Sequence, residues 1–346
     1  MNNDKFNLNN KNNILNSKNF INEINIQDIN NLQSTSSSEK VSSVSILLCI
    51  FDGKHFLLEQ LESIAAQTHK NWKIYVSDDG DCSESLAIID QFKKRFKEER
   101  VFILSGPRQG FAKNFISLAC YESIQSDYYA FCDQDDIWEV DKLERSINFL
   151  SGLENSVPGL YCSRTTIVDK NNNKLGLSPL FIKPPSFANA LVQNIGGGNT
   201  MLFNQRARDL LLDTKHDLPL VTHDWWMYLI VTACGGYVKY DEKPSLRYRQ
   251  HESNLVGSNM TWRARFYRIL LLFNGRFKLY NDLHIAALST IYKNISINNK
   301  KIFDHYCKMR HENLFKRILM LSHSGIYRQT KLGNLGLYVG LLFKKI

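Results

Sequence analysis

The sequence predicts an α/β domain with a mostly parallel central sheet that is flanked by helices. From Val44 onward, apolar runs of strand length alternate with amphipathic segments of helix length, as in parallel sheets with helical crossovers. The strand runs are continuously apolar, which is typical of strands buried on both faces. The chain has 346 residues, of which 43% are hydrophobic and 12% aromatic, and this composition excludes a disordered protein. A mean hydropathy of −0.30 excludes a polytopic membrane protein.

The predicted elements follow one another from residue 45 to residue 132. Each helix is indicated by apolar residues on one stripe, for example Leu57, Leu61 and Ile64 in the first helix. A glycine-containing loop at 106–110 connects the third strand to the helix after it. The strands are predicted at 45–50, 72–76, 101–104 and 128–132, and the helices at 56–67, 84–96 and 112–123.

Acidic residues follow three of the four predicted strands. They are Asp52, the pair Asp78 and Asp79, and the cluster Asp133, Asp135 and Asp136. Ligands of parallel α/β sheets bind beyond the carboxyl ends of the strands. Carboxylates gathered there need a cation or hydrogen-bond donors, because burial disfavours their charged form. Alternatively, single residues such as Asp79 and Asp136 are turn formers or helix caps.

The fourth strand ends in a D-x-D unit, Asp133-Gln134-Asp135. Alternate residues of an extended segment leave on the same side, so the two carboxylates lie next to each other. A pair of carboxylates suits a hard divalent cation, which takes oxygen ligands and often completes its shell with substrate phosphates. The D-x-D unit therefore indicates a site for a metal-bound diphosphate.

Short motifs follow one another in order between residues 43 and 257. They are VSILL at 44–48, EQL at 59–61 with SI at 63–64 and QT at 67–68, SDDG at 77–80, GFAKNF at 110–115, FCDQDDIW at 131–138, GNTM at 198–201, HDWW at 223–226 and YRQH at 248–251. This series resembles the inverting GT-A glycosyltransferases of family 2, particularly their bacterial rhamnosyltransferase-like branch. The resemblance implies the GT-A, or nucleotide-diphospho-sugar transferase, fold.

The resemblance also implies roles for the acidic residues on the nucleotide side. Asp79 matches the carboxylate that accepts from the imide N–H of a uracil or thymine base, and Asp52 lies near the nucleoside, where the family usually has Asn. Asp133 matches the residue that faces the ribose or deoxyribose. Asp135 matches the ligand of Mn2+ or Mg2+ on the diphosphate.

A second group of positions matches the acceptor side of the family. Displacement of a nucleoside diphosphate needs a base for the acceptor hydroxyl, and Asp224 matches that base. Gly198 and Asn199 lie in a glycine-rich loop where backbone approaches the acceptor, while Trp225 and Trp226 offer apolar faces for sugar stacking. The alternatives are a helix cap at residues 223–224, core positions for the tryptophans and a plain flexible turn.

Three further positions complete the resemblance. Lys113, on the helix after the glycine loop, matches a residue that reaches a phosphate or the base. His251 matches a histidine that completes the metal shell in some relatives, with a structural histidine as the alternative. Asp81 replaces the Ser that usually follows Asp-Asp-Gly.

Charge is distributed unevenly along the chain. The whole chain has 43 Lys and Arg against 34 Asp and Glu, a net charge of +9. Residues 1–257 carry −4, whereas residues 258–346 carry 16 Lys and Arg against 3 Asp and Glu, or +13. An acidic main domain argues against nucleic acid as a partner. A basic region with helical apolar spacing suits an anionic membrane surface, although basic helices that only pack on the domain would have the same composition.

The chain divides into three predicted regions. Residues 1–42, rich in Asn and Ser, are expected to be disordered, 43–257 to form the catalytic domain, and 258–346 to form basic amphipathic helices. Seven Cys without a CxxC pair indicate a reducing compartment. The chain shows no secretory signal, and its longest apolar stretch, at 335–343, is about half the ~20 residues of a spanning helix. We expect a cytoplasmic protein, peripheral at the inner face of the cell membrane.

The sequence thus predicts a metal-dependent, inverting glycosyltransferase. The resemblance implies transfer of L-rhamnose from dTDP-rhamnose to a hydroxyl of a cell-surface polysaccharide precursor, which in such pathways can be linked to polyprenyl diphosphate. A UDP-hexose or UDP-N-acetylhexosamine donor is the alternative within the fold. A non-catalytic nucleotide-sugar-binding scaffold and a nucleic-acid-binding protein that uses the basic tail are alternatives of other classes.

Overall fold

The computed structural model describes residues 41–96, 99–214, 219–251 and 275–346. Residues Ser42–Ile346 form one compact unit. The predicted disorder of residues 1–42 lies outside the described residues, except for its last two positions. The predicted boundary at 257/258 and the first part of the predicted basic helices, residues 258–274, also lie outside them. In the described part of the chain, no helix is both long enough and apolar enough to cross a membrane.

Eleven strands are described, and they form two sheets. Their bounds are β1 (Val44–Ile50), β2 (Trp72–Asp78), β3 (Val101–Ser105), β4 (Tyr128–Cys132), β5 (Ile137–Trp138), β6 (Gly159–Ser163), β7 (Thr166–Val168), β8 (Lys174–Leu177), β9 (Leu202–Asn204), β10 (Tyr237–Asp241) and β11 (Leu246–Arg249). The main sheet has seven strands in the order β10-β6-β9-β4-β1-β2-β3. All its pairs are parallel except those of β9, which is antiparallel to both β4 and β6. The predicted mostly parallel sheet is confirmed.

A second, smaller sheet was not predicted from the sequence. It has four strands in the order β5-β11-β7-β8. The strands have only two to four residues, and β8 is largely exposed. Segments this short carry no clear apolar period, so they give no strand signal. This sheet matters for the site because β5 directly follows the D-x-D unit.

The helices of the catalytic region lie close to their predicted positions. The described α-helices are α1 (Leu57–Ala65), α2 (Ser83–Lys93), α3 (Phe111–Ala119), α4 (Lys142–Leu150), α5 (Phe187–Ala190), α6 (Gln205–Leu212), α7 (His223–Ala233), α8 (Arg276–Thr290), α9 (Ile297–His311), α10 (Leu314–His323) and α11 (Lys331–Leu342). Apolar residues recur at helical spacing from 302 to 320 in the sequence, and this stretch is divided between α9 and α10. The break occurs because the Asn313 side chain accepts from the Lys316 backbone N–H at 3.1 Å and caps α10.

The main sheet is covered on both faces, which explains its continuously apolar strands. In β1, Ile46 and Leu48 belong to the core that also contains Leu61 of α1, while Leu47 belongs to the opposite core. That opposite core surrounds α7 and continues into the C-terminal helices. It includes Phe131, Phe203, Trp226, Met227, Leu288, Tyr306, Leu337 and Leu341. Ten of the eleven α7 residues are buried, and Asp224 is the exception.

The C-terminal helices bury a histidine against α7. The His284 ring lies 4.6 Å from the Trp225 ring, centroid to centroid, and is 2% exposed. Neither ring nitrogen hydrogen-bonds to any residue that the structure describes. Burial lowers the pKa of His284 from 6.5 to about 3, because the charged ring would lose its hydration.

We predict that His284 makes the fold sensitive to acid. The unfolded chain takes up a proton near pH 6.5, whereas the folded ring stays neutral down to about pH 3, so stability falls as the pH drops through this window. In the variant His284→Leu, the loss of unfolding free energy between pH 6.5 and pH 4 should be smaller by about 3 kcal/mol. Urea unfolding at several pH values measures it. The exposed His311→Leu serves as control, and an equal pH dependence in both variants would contradict the prediction.

Candidate active site

The carboxyl ends of β4, β1 and β2 are neighbours in the sheet, and they bring the predicted nucleotide-side residues to one edge. The ends of β1 and β4 are joined by the Gln134 side chain, which accepts from the Phe51 N–H at 2.8 Å and donates to the Phe51 carbonyl at 2.9 Å. Asp52 is exposed and has a left-handed backbone with φ 48°. A Cβ on Gly80 would lie 3.0 Å from Asp52 Oδ1, so the turn after β2 lies beside the end of β1.

Asp79 is held at this edge by the glycine-containing loop after β3. Its Oδ1 accepts from the Arg108 backbone N–H at 2.5 Å, and the residue is 9% exposed. A Cβ on Gly106 would lie 2.6 Å from the same oxygen, so only glycine allows this approach. Asp81, which departs from the family pattern, pairs with the Arg108 side chain at 2.5 Å. Because both groups are well exposed, this ion pair contributes little to stability.

The D-x-D residues face an unusual concentration of negative charge. Burial raises the pKa of Asp133, and the neighbouring carboxylates of Asp135 and Asp224 raise it further. Asp135 Oδ2 lies 2.8 Å from His251 Nε2. The D-x-D unit, expected to serve the donor and the metal, thus lies beside the distant residue His251, which was expected to complete the metal shell.

Asp136, next to the D-x-D unit, is almost completely buried. Its Oδ2 accepts from Asn199 Nδ2 at 2.6 Å, and its Oδ1 accepts from the Arg249 backbone N–H at 3.3 Å. Burial raises its pKa well above the usual range, and the charges of Asp135 and Asp133 add to this. Asp136 thus joins the glycine-rich loop to β11. It is not the N-cap or turn residue that was the alternative.

Arg249 is the main residue that sequence reasoning missed. Its side chain is 1% exposed and lies over the Phe56 ring, 4.4 Å from the centroid. Its Nε donates to the Asp135 carbonyl at 3.0 Å, Nη1 donates to the Lys170 carbonyl at 2.8 Å, and Nη2 pairs with Glu59. The guanidinium thereby fixes the backbone of the D-x-D unit. A single arginine in a four-residue strand gives no signal of this role.

Asp224 lies in the first turn of α7. Thr222 is the N-cap, and its side chain and Asp224 Oδ1 both accept from the Trp225 N–H, at 3.4 Å and 2.7 Å. A carboxylate at a helix N-terminus is stabilised by the helix dipole. Its charge also acts on Asp133. The ring of His223, the residue before Asp224, meets the Phe131 ring of β4 at 4.8 Å, so the predicted base lies at the end of β4, beside the D-x-D unit.

The glycine-rich loop packs directly on the residue before Asp224. A Cβ on Gly198 would lie 2.1 Å from His223 Nε2. The His223 ring is 4% exposed, stacks on Phe115 at 4.0 Å and meets the edge of Phe131 at 4.8 Å. Gly198 and Asn199 are therefore buried here, and the Asn199 amide binds Asp136.

The expectation that Trp225 and Trp226 stack on a sugar is wrong for this structure. Trp226 is fully buried and Trp225 is 8% exposed. Trp225 Nε1 donates to the Ala190 carbonyl at 2.7 Å. The C-terminal helices cover α7, so both rings are core residues, as the structural alternative held. Lys113 lies in the first turn of α3 and is half-buried.

Comparison with known proteins agrees with this arrangement. The model of glycosyl transferase family 2 matches residues 45–208. Residues 45–208 belong to this family. The chain is accordingly a nucleotide-sugar glycosyltransferase, and its α/β sheet with C-terminal helices is of the predicted GT-A class.

Two curated relatives give the range of similarity within the family. The dTDP-rhamnosyl transferase RfbG of Shigella flexneri is 28% identical over 240 residues, which are 66% of this chain and 79% of the relative. The UDP-Glc:alpha-D-GlcNAc-diphosphoundecaprenol beta-1,3-glucosyltransferase WfgD of Escherichia coli is 30% identical over 158 residues. That match covers 45% of this chain and 57% of WfgD.

Two solved structures are also similar. Staphylococcus aureus TarS 1-349 in complex with UDP-GlcNAc has a TM-score of 0.48 and 14% identity, covering 72% of this chain and 73% of that one. The mannosyltransferase PcManGT from Pyrobaculum calidifontis, in complex with GDP-Man and Mn2+, has a TM-score of 0.47 and 13% identity. It covers 89% of this chain and 86% of that one.

The pair Asp135 and His251 fits a divalent cation whose shell is completed by substrate. Within the described ranges, no group of three or more His, Cys, Asp or Glu side chains could hold a metal by itself. Adjacent ligands of an octahedral Mg2+ lie about 3 Å apart, and the Asp135 and His251 atoms are separated by 2.8 Å. The remaining ligands would be water and diphosphate oxygens.

We predict that Gly198→Ala destabilises the glycosyltransferase by about 1–3 kcal/mol, because the new methyl group overlaps the His223 ring, which is held between Phe115 and Phe131. Urea unfolding at neutral pH measures the change. Gly152→Ala is the matched control, since a Cβ there meets no atom within 4 Å. Equal unfolding midpoints for the two variants would show that the loop does not pack on His223 in solution.

Proposed function

We propose that this family 2 enzyme transfers L-rhamnose from dTDP-rhamnose, with inversion, to a hydroxyl of a cell-surface polysaccharide precursor. The observation that carries the proposal is the packing of the start of α7 against β4, where the ring of His223, the residue before Asp224, meets the Phe131 ring at 4.8 Å. In this position the charge of Asp224 also raises the pKa of Asp133. A base for the acceptor and a set of ligands for the donor diphosphate are thereby neighbours. An inverting displacement needs both, on either side of one anomeric carbon.

The donor lies, in this proposal, along the edge formed by the ends of β1, β2 and β4. A carboxylate can accept several hydrogen bonds. Asp79 therefore accepts from the imide N–H of the thymine base in addition to the Arg108 N–H. Asp52 lies near the nucleoside, and Asp133 faces the deoxyribose. Lys113 reaches a phosphate from the start of α3. The nucleotide thus follows the strand ends from β2 towards β4.

The diphosphate is held at Asp135 and His251, which would bind Mn2+ or Mg2+. The ion, when bound, supplies positive charge to the leaving diphosphate. Asp224 removes the proton of the acceptor hydroxyl as its oxygen attacks the anomeric carbon. The bond from that carbon to the diphosphate oxygen breaks in the same displacement, and the nucleoside diphosphate leaves with the electron pair. One displacement inverts the configuration at this carbon.

The names of the two curated relatives support different donors. RfbG is a dTDP-rhamnosyl transferase and matches over 66% of this chain, whereas WfgD uses UDP-Glc and matches over 45%. The longer match favours rhamnose, and UDP-hexose is the second candidate. The name of WfgD also specifies an acceptor linked to diphosphoundecaprenol. This supports a polyprenyl-diphosphate-linked glycan as the acceptor of the present enzyme. Such an acceptor would draw the enzyme to the inner face of the cell membrane.

We predict that Asp224→Asn lowers turnover at least 100-fold and leaves donor affinity unchanged, because the variant loses the base but none of the donor ligands. Asp135→Ala should instead weaken Mn2+-dependent donor binding at least tenfold. Release of dTDP from dTDP-rhamnose measures turnover, and calorimetry with and without Mn2+ measures binding. Asp90→Asn on the exposed side of α2 is the control. Near-normal turnover in either site variant would contradict the assignment, and no turnover by the wild type would favour a scaffold.

We predict that dTDP-rhamnose stabilises the enzyme against heat more than UDP-glucose or UDP-N-acetylglucosamine does, since a ligand that binds only the folded state raises Tm according to its affinity. Thermal unfolding with each donor and Mn2+ compares them. Asp79→Ala should remove most of the shift with each nucleotide. A larger rise in Tm with UDP-glucose would contradict the rhamnose assignment and favour a UDP-hexose donor.

A further inference from the structure

The last helix of the chain is apolar on two opposite sides. On one side α11 buries Leu337 and Leu341 in the core. On the other side it exposes Leu332 by 75%, Leu335 by 59% and Leu342 by 46%. These three residues have spacings of three and seven, so they share one helix face. A surface helix normally turns polar residues outward, and an exposed apolar stripe marks an interaction surface.

The neighbouring helix repeats this feature. α10 turns Arg317 and Leu321 inward, and the Arg317 guanidinium donates to the Leu341 carbonyl of α11 at 3.1 Å. Its outward residues include Phe315, 81% exposed, and Leu319, 53% exposed, which are four positions apart. We call the outward apolar residues of both helices the α10–α11 surface. It consists of Phe315, Leu319, Leu332, Leu335 and Leu342.

The charge around this surface decides which partner fits it. Residues 275–346 contain 13 Lys and Arg against 3 Asp and Glu, a net charge of +10. Lys316, Lys331 and Lys344 are exposed within or beside the two helices. Two copies of such a region repel each other, which disfavours a dimer through this surface. An anionic lipid surface, by contrast, attracts the lysines and accepts the apolar side chains.

The geometry suits a helix that lies in the membrane interface. α11 has 12 residues, or about 18 Å of helix, which is too short to cross a bilayer. Its outward leucines are of the type that enters the boundary between head groups and acyl chains, while flanking lysines extend to the phosphates.

The α10–α11 surface is also tied to the acceptor side of the enzyme. The segment between the two helices hydrogen-bonds to residues 183–193: the Asn189 side chain donates to the Tyr327 carbonyl at 2.9 Å, and the Gln329 N–H donates to Gln193 Oε1 at 2.8 Å. Three residues after Gln193 the glycine-rich loop begins. The two helices are therefore hydrogen-bonded to the segment that leads into the loop beside Asp224.

We propose that the α10–α11 surface inserts into an anionic bilayer and holds the acceptor loop at the membrane, where a polyprenyl-linked acceptor enters the site. The lipid-linked acceptor is the part that rests on the function proposed above. Insertion itself rests only on the apolar stripe and the charge.

The test compares the full chain with Leu332→Gln/Leu335→Gln. Flotation with vesicles of equal parts phosphatidylglycerol and phosphatidylcholine should show at least tenfold weaker binding by the variant, and vesicles of phosphatidylcholine alone should bind both proteins weakly. Leu175→Gln, an exposed leucine on β8, is the matched control. Unchanged flotation of the α11 variant would overturn the proposal. A dimeric wild type together with a monomeric double variant would also overturn it, because the surface would then bind a second copy of the chain.

Hydrolysis of dTDP-rhamnose without vesicles separates this proposal from the proposed function. The double variant should hydrolyse the donor at the wild-type rate, because the substituted side chains lie on the outer surface. Weakened flotation together with normal hydrolysis supports membrane insertion. Normal flotation of the wild type without donor hydrolysis would overturn the rhamnosyl transfer and leave the membrane surface intact. Equal loss of hydrolysis and flotation in the variant would mean that the change unfolds the protein, and would contradict the assignment of an outward stripe.

Discussion

The buried carboxylate of Asp136 is the constraint on which the arrangement of the site depends. A carboxyl group in this position needs donors, and the donors come from two distant segments, the Asn199 side chain and the Arg249 backbone. Arg249 in turn binds the Asp135 carbonyl and Glu59. Because unpaired buried polar groups are costly, these bonds fix the glycine-rich loop, β11 and the D-x-D unit relative to one another.

The antiparallel insertion of β9 explains how the loop reaches Asp136. In an all-parallel sheet the strands run in one direction, so the residues before one strand and the residues after its neighbour lie at opposite edges of the sheet. β9 runs against β4, with Leu202 opposite Ala130 and Asn204 opposite Tyr128. The residues just before β9 therefore lie at the carboxyl end of β4, beside the D-x-D unit. One reversed strand thus brings the acceptor-side loop and the donor-side carboxylates to the same edge.

The sequence was sufficient for features that depend on local pattern and strand direction. Strands β1 to β4 have long apolar runs, so their ends, and with them Asp79 and Asp133, could be placed at one edge. Arg249 could not be found in this way, because its importance comes from contacts with residues far away in sequence. The tryptophans of α7 illustrate the other limit. An apolar helix has the same sequence pattern whether other helices or a ligand cover it, and only the packing of α8 on α7 shows that the tryptophans are core residues.

The C-terminal helices join these observations. They cover α7, which makes Trp225 and Trp226 core residues and leaves Asp224 as the α7 residue that is not buried. A helix that only completed the core would turn polar residues outward, yet α11 exposes leucines on its outer side. The net charge of the chain is likewise divided, with acidic groups gathered at the strand ends and basic groups on these helices. Screening by salt weakens the interaction between the two groups of charges beyond about 10 Å. The site can therefore concentrate carboxylates for a cation while the outer helices carry positive charge for an anionic surface.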